Sequence, residues 1–148
     1  MMGQLFEVKD IDKKIYQEEL ADFLPEKMID CHTHIWRKRE RKLDKDAFKR
    51  TVSWPSRVAE ENTVEDLLET YKLLFPGKEV TPMCFSSYKP GDDMDKLNAY
   101  TEEATKKYGI PALLFARPEW SAGELEGKIR DGGFLGIKVY LNLAPSYL

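Results

Sequence analysis

Two periodicities of apolar and polar positions alternate along the chain. Residues 10–26 place Ile11, Ile15, Leu20, Phe23 and Leu24 at roughly helical spacing, and Pro25 closes the run. That pattern predicts an amphipathic helix packed across one end of something larger. Residues 28–36 form a short apolar strand running into polar residues. Residues 37–50 are strongly charged and mostly basic, which predicts a solvated loop or a short helix. Asn62-Thr63 then opens a helix with a capping-box-like start, Thr63-Val64-Glu65-Asp66, and an apolar face of Leu67, Leu68, Tyr71, Leu74 and Phe75. Pro76-Gly77 ends it. A strand over 79–87, a turn at Pro90-Gly91-Asp92, a helix over 93–108 stopped by Gly109 and a strand over 110–117 follow. Ser121-Ala122-Gly123-Glu124 is a second capping box, opening a helix through Arg130 that Gly132-Gly133 ends. Residues 136–141 make the last strand.

The order is a helix, then β-α-β-α-β-α-β, which predicts parallel βαβ units of an α/β protein. The strands are near-continuous apolar runs, as when both faces of a sheet are covered. This pattern fits half of a barrel and an open, doubly wound sheet equally. The first strand leads into His-Thr-His rather than a glycine-rich fingerprint, and no phosphate-binding loop of Walker type occurs, so a nucleotide site on either plan is excluded.

The 148 residues suffice for one domain, read here as 1–148, with a real core. They fall well short of the ~250 residues of a closed (β/α)8 barrel. With 23 basic and 26 acidic residues the net charge is -3, which gives no case for nucleic acid. No basic and apolar leader opens the chain, and no apolar run reaches the ~18 residues of a membrane span. Cys31 and Cys84 lie far apart in apolar runs, so the expectation is free thiols in a reducing cytoplasm.

His32 and His34 are the only histidines, two apart at the end of the first strand. Side chains alternate along a strand, so both imidazoles project from one face. A pair of neutral imidazoles suits a divalent ion, Zn2+ first, with Fe2+, Mn2+ or Co2+ as alternatives. Strict alternation puts Asp30 on the same face, one step deeper, in a supporting hydrogen-bond role. It turns Cys31 and Thr33 towards the helix layer, making Cys31 a packing residue. Arg117, at the end of the third strand, could hold a substrate carboxylate bidentately or sit in a surface salt bridge. Tyr88 and Lys89 occupy a comparable loop position after the second strand. Trp36, Trp54 and Trp120 lie in or near strand-end loops and could line a pocket or serve as apolar cover.

The string Met28-Ile29-Asp30-Cys31-His32-Thr33-His34 resembles the ID-x-H-x-H first strand of the amidohydrolase superfamily. The segment Gly133-Phe134-Leu135-Gly136-Ile137-Lys138-Val139-Tyr140 is similar to the GF-x-GIK strand of its amidohydrolase-related subgroup, which includes aminocarboxymuconate-semialdehyde decarboxylase-like enzymes. The resemblance implies the N-terminal half of a (β/α)8 TIM barrel, about four parallel β/α units plus an N-terminal helix. It further implies a metal-dependent hydrolase of a small, possibly carboxylate-bearing amide, ester or lactone, with His32 and His34 as metal ligands and water as nucleophile. Decarboxylation on the same scaffold is the alternative. Lys138, on the fourth strand, would be a carbamate bridging two metals, as in some branches, or a cation neutralising a substrate carboxylate. The family's later histidines and late aspartate have no counterpart here. The expectation is therefore a front half, too short to be the whole enzyme and ending just after a strand. A homo-oligomer in which two chains close one barrel, and a non-enzymatic binding module, are the competing readings.

Overall fold

The three helices after the first strand begin where the sequence offers a cap. The computed structural model describes residues 5–38, 59–88 and 92–140. The expectations for most of 37–50, for Trp54, for Lys89-Pro90-Gly91 and for the end of the chain after Tyr140 lie outside these residues. Thr63 accepts from the Asp66 amide while the Asp66 carboxylate accepts from the Thr63 amide, opening α2 (Val64–Leu74). Ser121 and Glu124 repeat the arrangement for α4 (Ala122–Gly132), and Asp93 caps α3 (Met94–Tyr108) through the Lys96 amide. Gly109 and Gly133 end α3 and α4 at φ 64° and 70°, a region that costs other residues about 1–2 kcal/mol. The strands are β1 (Lys27–Ile35), β2 (Glu79–Ser86), β3 (Leu113–Phe115) and β4 (Gly136–Lys138).

The N-terminal helix is shorter than its apolar spacing predicts. α1 (Asp10–Ile15) runs into a π-helical turn (Tyr16–Leu20), with the Ala21 amide reaching back to the Tyr16 carbonyl. Its apolar stripe stays open, Phe23 being 80% exposed. Contact with the rest of the molecule comes through Tyr16, whose hydroxyl donates to the Pro76 carbonyl (2.8 Å) and whose ring meets Phe75 edge-on. The Lys78 ammonium donates to the carbonyls of Ala21 and Leu24, so groups that a longer helix would have paired internally are satisfied by a side chain.

The architecture is mixed α/β with parallel strands. β1 and β2 run in parallel from the pair Lys27–Glu79 to Ile35–Ser86, and β3 pairs with β4 in parallel from Leu113–Gly136 to Phe115–Lys138. A single parallel bridge between Cys84 and Ala112 joins the two pairs, with the Cys84 amide donating to the Pro111 carbonyl (2.9 Å). Beyond it, Asn98 of α3 enters. Its carboxamide donates to the Phe115 carbonyl and accepts from the Phe115 amide, both at 2.9 Å, taking the place a β2 ladder would occupy. The third and fourth strands, Leu113–Phe115 and Gly136–Lys138, are shorter than the apolar runs over 110–117 and 136–141 predict.

The core lies between the strands and the helices, built on Ile35, Leu67, Cys84, Tyr100, Ala112 and Leu114. Arg37, just past β1, makes a bidentate pair with Glu103 of α3 and lies 4.1 Å over the Tyr100 ring, fastening the end of β1 to that helix. Among the described residues no helix is long and apolar enough to cross a membrane.

Candidate metal centre

The register of β1 against β2 decides which way each side chain of the His-Thr-His segment points. Asp30 pairs with Pro82 and Thr33 with Cys84, three steps on one strand against two on the other. β1 therefore carries one extra residue, and the alternation changes phase across it. Thr33 and Ile35 are buried towards the helices, with the Thr33 hydroxyl donating to the Met83 carbonyl (2.8 Å). His32 and His34 project from the opposite face, as their spacing predicts.

Two expectations that relied on unbroken alternation need correction. Asp30 does not share the histidine face: its Oδ2 accepts the hydroxyl of Tyr71, a core residue of α2, at 3.0 Å. Cys31 is exposed and does not pack against the helix layer. Both follow from the extra residue between Asp30 and Thr33.

Phe85, the β2 partner of His34, supplies the floor of the site. Its buried ring meets both imidazoles edge-on, with centroids 5.1 Å from His32 and 4.6 Å from His34. The two imidazole centroids lie 5.2 Å apart. Two imidazoles bound to one tetrahedral zinc at about 2.0–2.1 Å have centroids about 5 Å apart, so the separation of the pair is compatible with a shared ion. His34 is held from two sides. Its Nδ1 is 3.1 Å from the Ser86 carbonyl oxygen, and the Asn62 carboxamide donates to its own carbonyl (2.8 Å). A carbonyl can only accept, so Nδ1 carries a proton and, in the neutral ring, Nε2 is the basic nitrogen, the pattern of a metal-ligating histidine.

Lys138 joins this face. Its ammonium lies 4.7 Å over the Phe85 ring and 5.2 Å over Tyr140, and among the described residues no carboxylate pairs with it. Tyr140 stacks on Phe115, and Phe115 meets Tyr88, extending an aromatic surface away from the histidines.

Arg117 is engaged elsewhere. Its Nε donates to the Met94 thioether and a terminal nitrogen contacts Asp95 (3.3 Å), with the guanidinium 5.8 Å from Trp120. This is the salt-bridge reading of the residue. It lines a cleft of about 580 Å³ with Tyr88, Met94, Glu119 and Trp120. Trp36 is buried, its indole N–H donating to the Glu60 carbonyl, so it acts as apolar cover.

On the helix side, burial pushes the Cys84 thiol up to about 11; the Thr33 hydroxyl works against this and the Asp30 charge adds to it. Burial, then the hydrogen bond to Asp30, likewise raises Tyr71. Among the described residues no group of three or more His, Cys, Asp or Glu side chains comes together. Phe85, Ser86, Asn62 and Tyr71 carry no chemical motif. Only the β1–β2 pairing, which puts Phe85 level with His34, identifies the first two.

No family model matches the chain, and no curated protein or solved structure matches it closely enough to count as a relative.

Proposed function

We propose that the chain carries the first-strand ligand pair of an amidohydrolase-type, metal-dependent hydrolase, and that its successive β/α units belong to the N-terminal half of a (β/α)8 barrel. One observation carries the reading. His32 and His34 stand side by side at the C-terminal end of a parallel strand, on the face away from the helices, spaced for one ion, with His34 oriented by Ser86. Active sites of such barrels form at the C-terminal ends of the strands.

A divalent ion there, Zn2+ first, would supply the Lewis acidity that activates water. Phe85 keeps the imidazoles apart at a fixed spacing and excludes water beneath them. Lys138, within reach of the same ring, places a cation where a small substrate's carboxylate would sit, which favours its counter-charge role over a carbamate bridge. Arg117, tied to Asp95, is assigned to the neighbouring cleft. A catalytic zinc takes about three protein ligands, so the pair is part of a ligand set.

Equilibrium dialysis of the full chain against Zn2+, followed by elemental analysis, tests the reading. The expected outcome is near-stoichiometric metal that disappears in the His32→Ala/His34→Ala double variant. Wild-type metal no higher than in the double variant would overturn the metal site in this chain. With metal bound, acid release from a panel of amides, esters and lactones supports hydrolysis, whereas CO2 release from a carboxylate substrate would assign decarboxylation.

A further inference from the structure

His32 sits in the one stretch of β1 that carries a residue more than its neighbour. A bulge takes main-chain groups out of the ladder, and they need other partners. The His32 amide finds one in its own segment, donating to Asp30 Oδ1 at 3.1 Å. The other oxygen of that carboxylate accepts the Tyr71 hydroxyl at 3.0 Å. Tyr71 is buried in α2 with its ring in the core, so its hydroxyl has a fixed place. Asp30 therefore has one oxygen on the main chain that carries His32 and the other on a packed helix. On the far side of the bulge Thr33 is anchored to the Met83 carbonyl. Neither Asp30 nor Tyr71 lies on the imidazole face, yet together they fix the segment from which His32 projects.

We infer that Tyr71 and Asp30 are a positioning pair that sets the His32 imidazole in alignment with that of His34. Its consequence for metal binding rests on the proposed metal centre; the positioning itself belongs to the metal-free chain. A bond that served the fold alone would change stability on removal and leave His32 where it is.

The test compares the full-length wild type with Tyr71→Phe, Asp30→Asn and a control, Tyr108→Phe, which removes another tyrosine–carboxylate bond, to Glu65. Two properties are read: hydrogen exchange of the His32 amide with the His32 imidazole 15N shifts, both without metal, and Co2+ affinity with its visible spectrum. Tyr71→Phe is expected to speed exchange of the His32 amide about tenfold beyond its effect on global unfolding. It is also expected to shift the imidazole resonances and weaken Co2+ binding by about 10–100-fold, the range for lost supporting contacts around a metal. Asp30→Asn keeps an acceptor for the His32 amide and is expected to move both readouts less, in the same direction. It decides the matter if Tyr71→Phe does not fold. Tyr108→Phe should leave both unchanged. If Tyr71→Phe and Asp30→Asn lower stability while His32 exchange simply follows global unfolding and its shifts stay put, the positioning role is overturned. If the wild type takes up no Co2+ while Tyr71→Phe still releases the His32 amide, the metal centre fails and the positioning pair stands.

Discussion

The imidazole of His34 hangs from the main chain of the neighbouring strand, its Nδ1 3.1 Å from the carbonyl oxygen of Ser86. The contact sets the tautomer, because only a protonated Nδ1 can meet a carbonyl. At a pH where the ring is neutral, His34 is expected to carry its proton on Nδ1. Long-range 1H–15N correlation spectra distinguish the two tautomers, and an Nε2–H signal would refute the assignment.

Asn98 has a different task. By pairing both main-chain groups of Phe115 it satisfies a donor and an acceptor inside the molecule. Asn98→Ala leaves both without a partner, and each such loss costs about 1–3 kcal/mol. Urea denaturation should show a destabilisation in that range or above it. A loss below about 0.5 kcal/mol, the scale of an ordinary surface substitution, would mean that water replaces the carboxamide at little cost.

The two cysteines should separate by reactivity. Cys31 is exposed, whereas Cys84 is fully buried and its thiol is pushed up to about 11. The thiolate is the reactive species. With an aromatic disulfide reagent at pH 8, one thiol per chain should react quickly and the second only in denaturant. Cys31→Ser should abolish the fast phase, and a fast phase that survives it would contradict the burial of Cys84.

Acid should weaken the link between α2 and α3 through Glu65. Partial burial pushes this carboxyl up, but bonds from the Tyr108 hydroxyl and the Lys107 ammonium outweigh burial and hold it at about 2, below its ordinary value of 4.5. A carboxyl lowered in the folded state binds fewer protons there than in the unfolded chain. Its contribution is therefore present above pH 4.5 and lost as pH falls towards 2. The site is largely open to solvent, so the contribution is small. The difference in urea midpoint between wild type and Glu65→Gln should shrink across that window, and a difference constant with pH would remove the electrostatic explanation.

Local chemistry made much of this structure legible in the sequence. Both capping boxes, at Thr63 and Ser121, and the stops at Gly109 and Gly133 depend on residues close in sequence, and they stand where the spacing puts them. The histidine pair was legible for the same reason, since residues two apart share a face of a strand. Asp30 was misplaced because its direction depends on a bulge, and the bulge exists only in the pairing with β2. The shortening of β3 and β4 was equally invisible. So was the bonding of the Phe115 main chain by Asn98, a carboxamide from α3 that lies 17 residues away and has no helical or strand periodicity to betray it.

The split of the strand layer into two pairs also divides responsibility for distance across it. His32 and His34 ride on one strand pair and Lys138 on the other, and among the described residues one bridge, Cys84–Ala112, stitches the two leaves together. The gap between imidazoles and ammonium is thus gauged by a side chain, the Phe85 ring that both meet, rather than by the rigid lattice of a continuous ladder. Small changes of volume at Phe85 can retune the reach between the two imidazoles and the Lys138 ammonium while leaving each leaf intact.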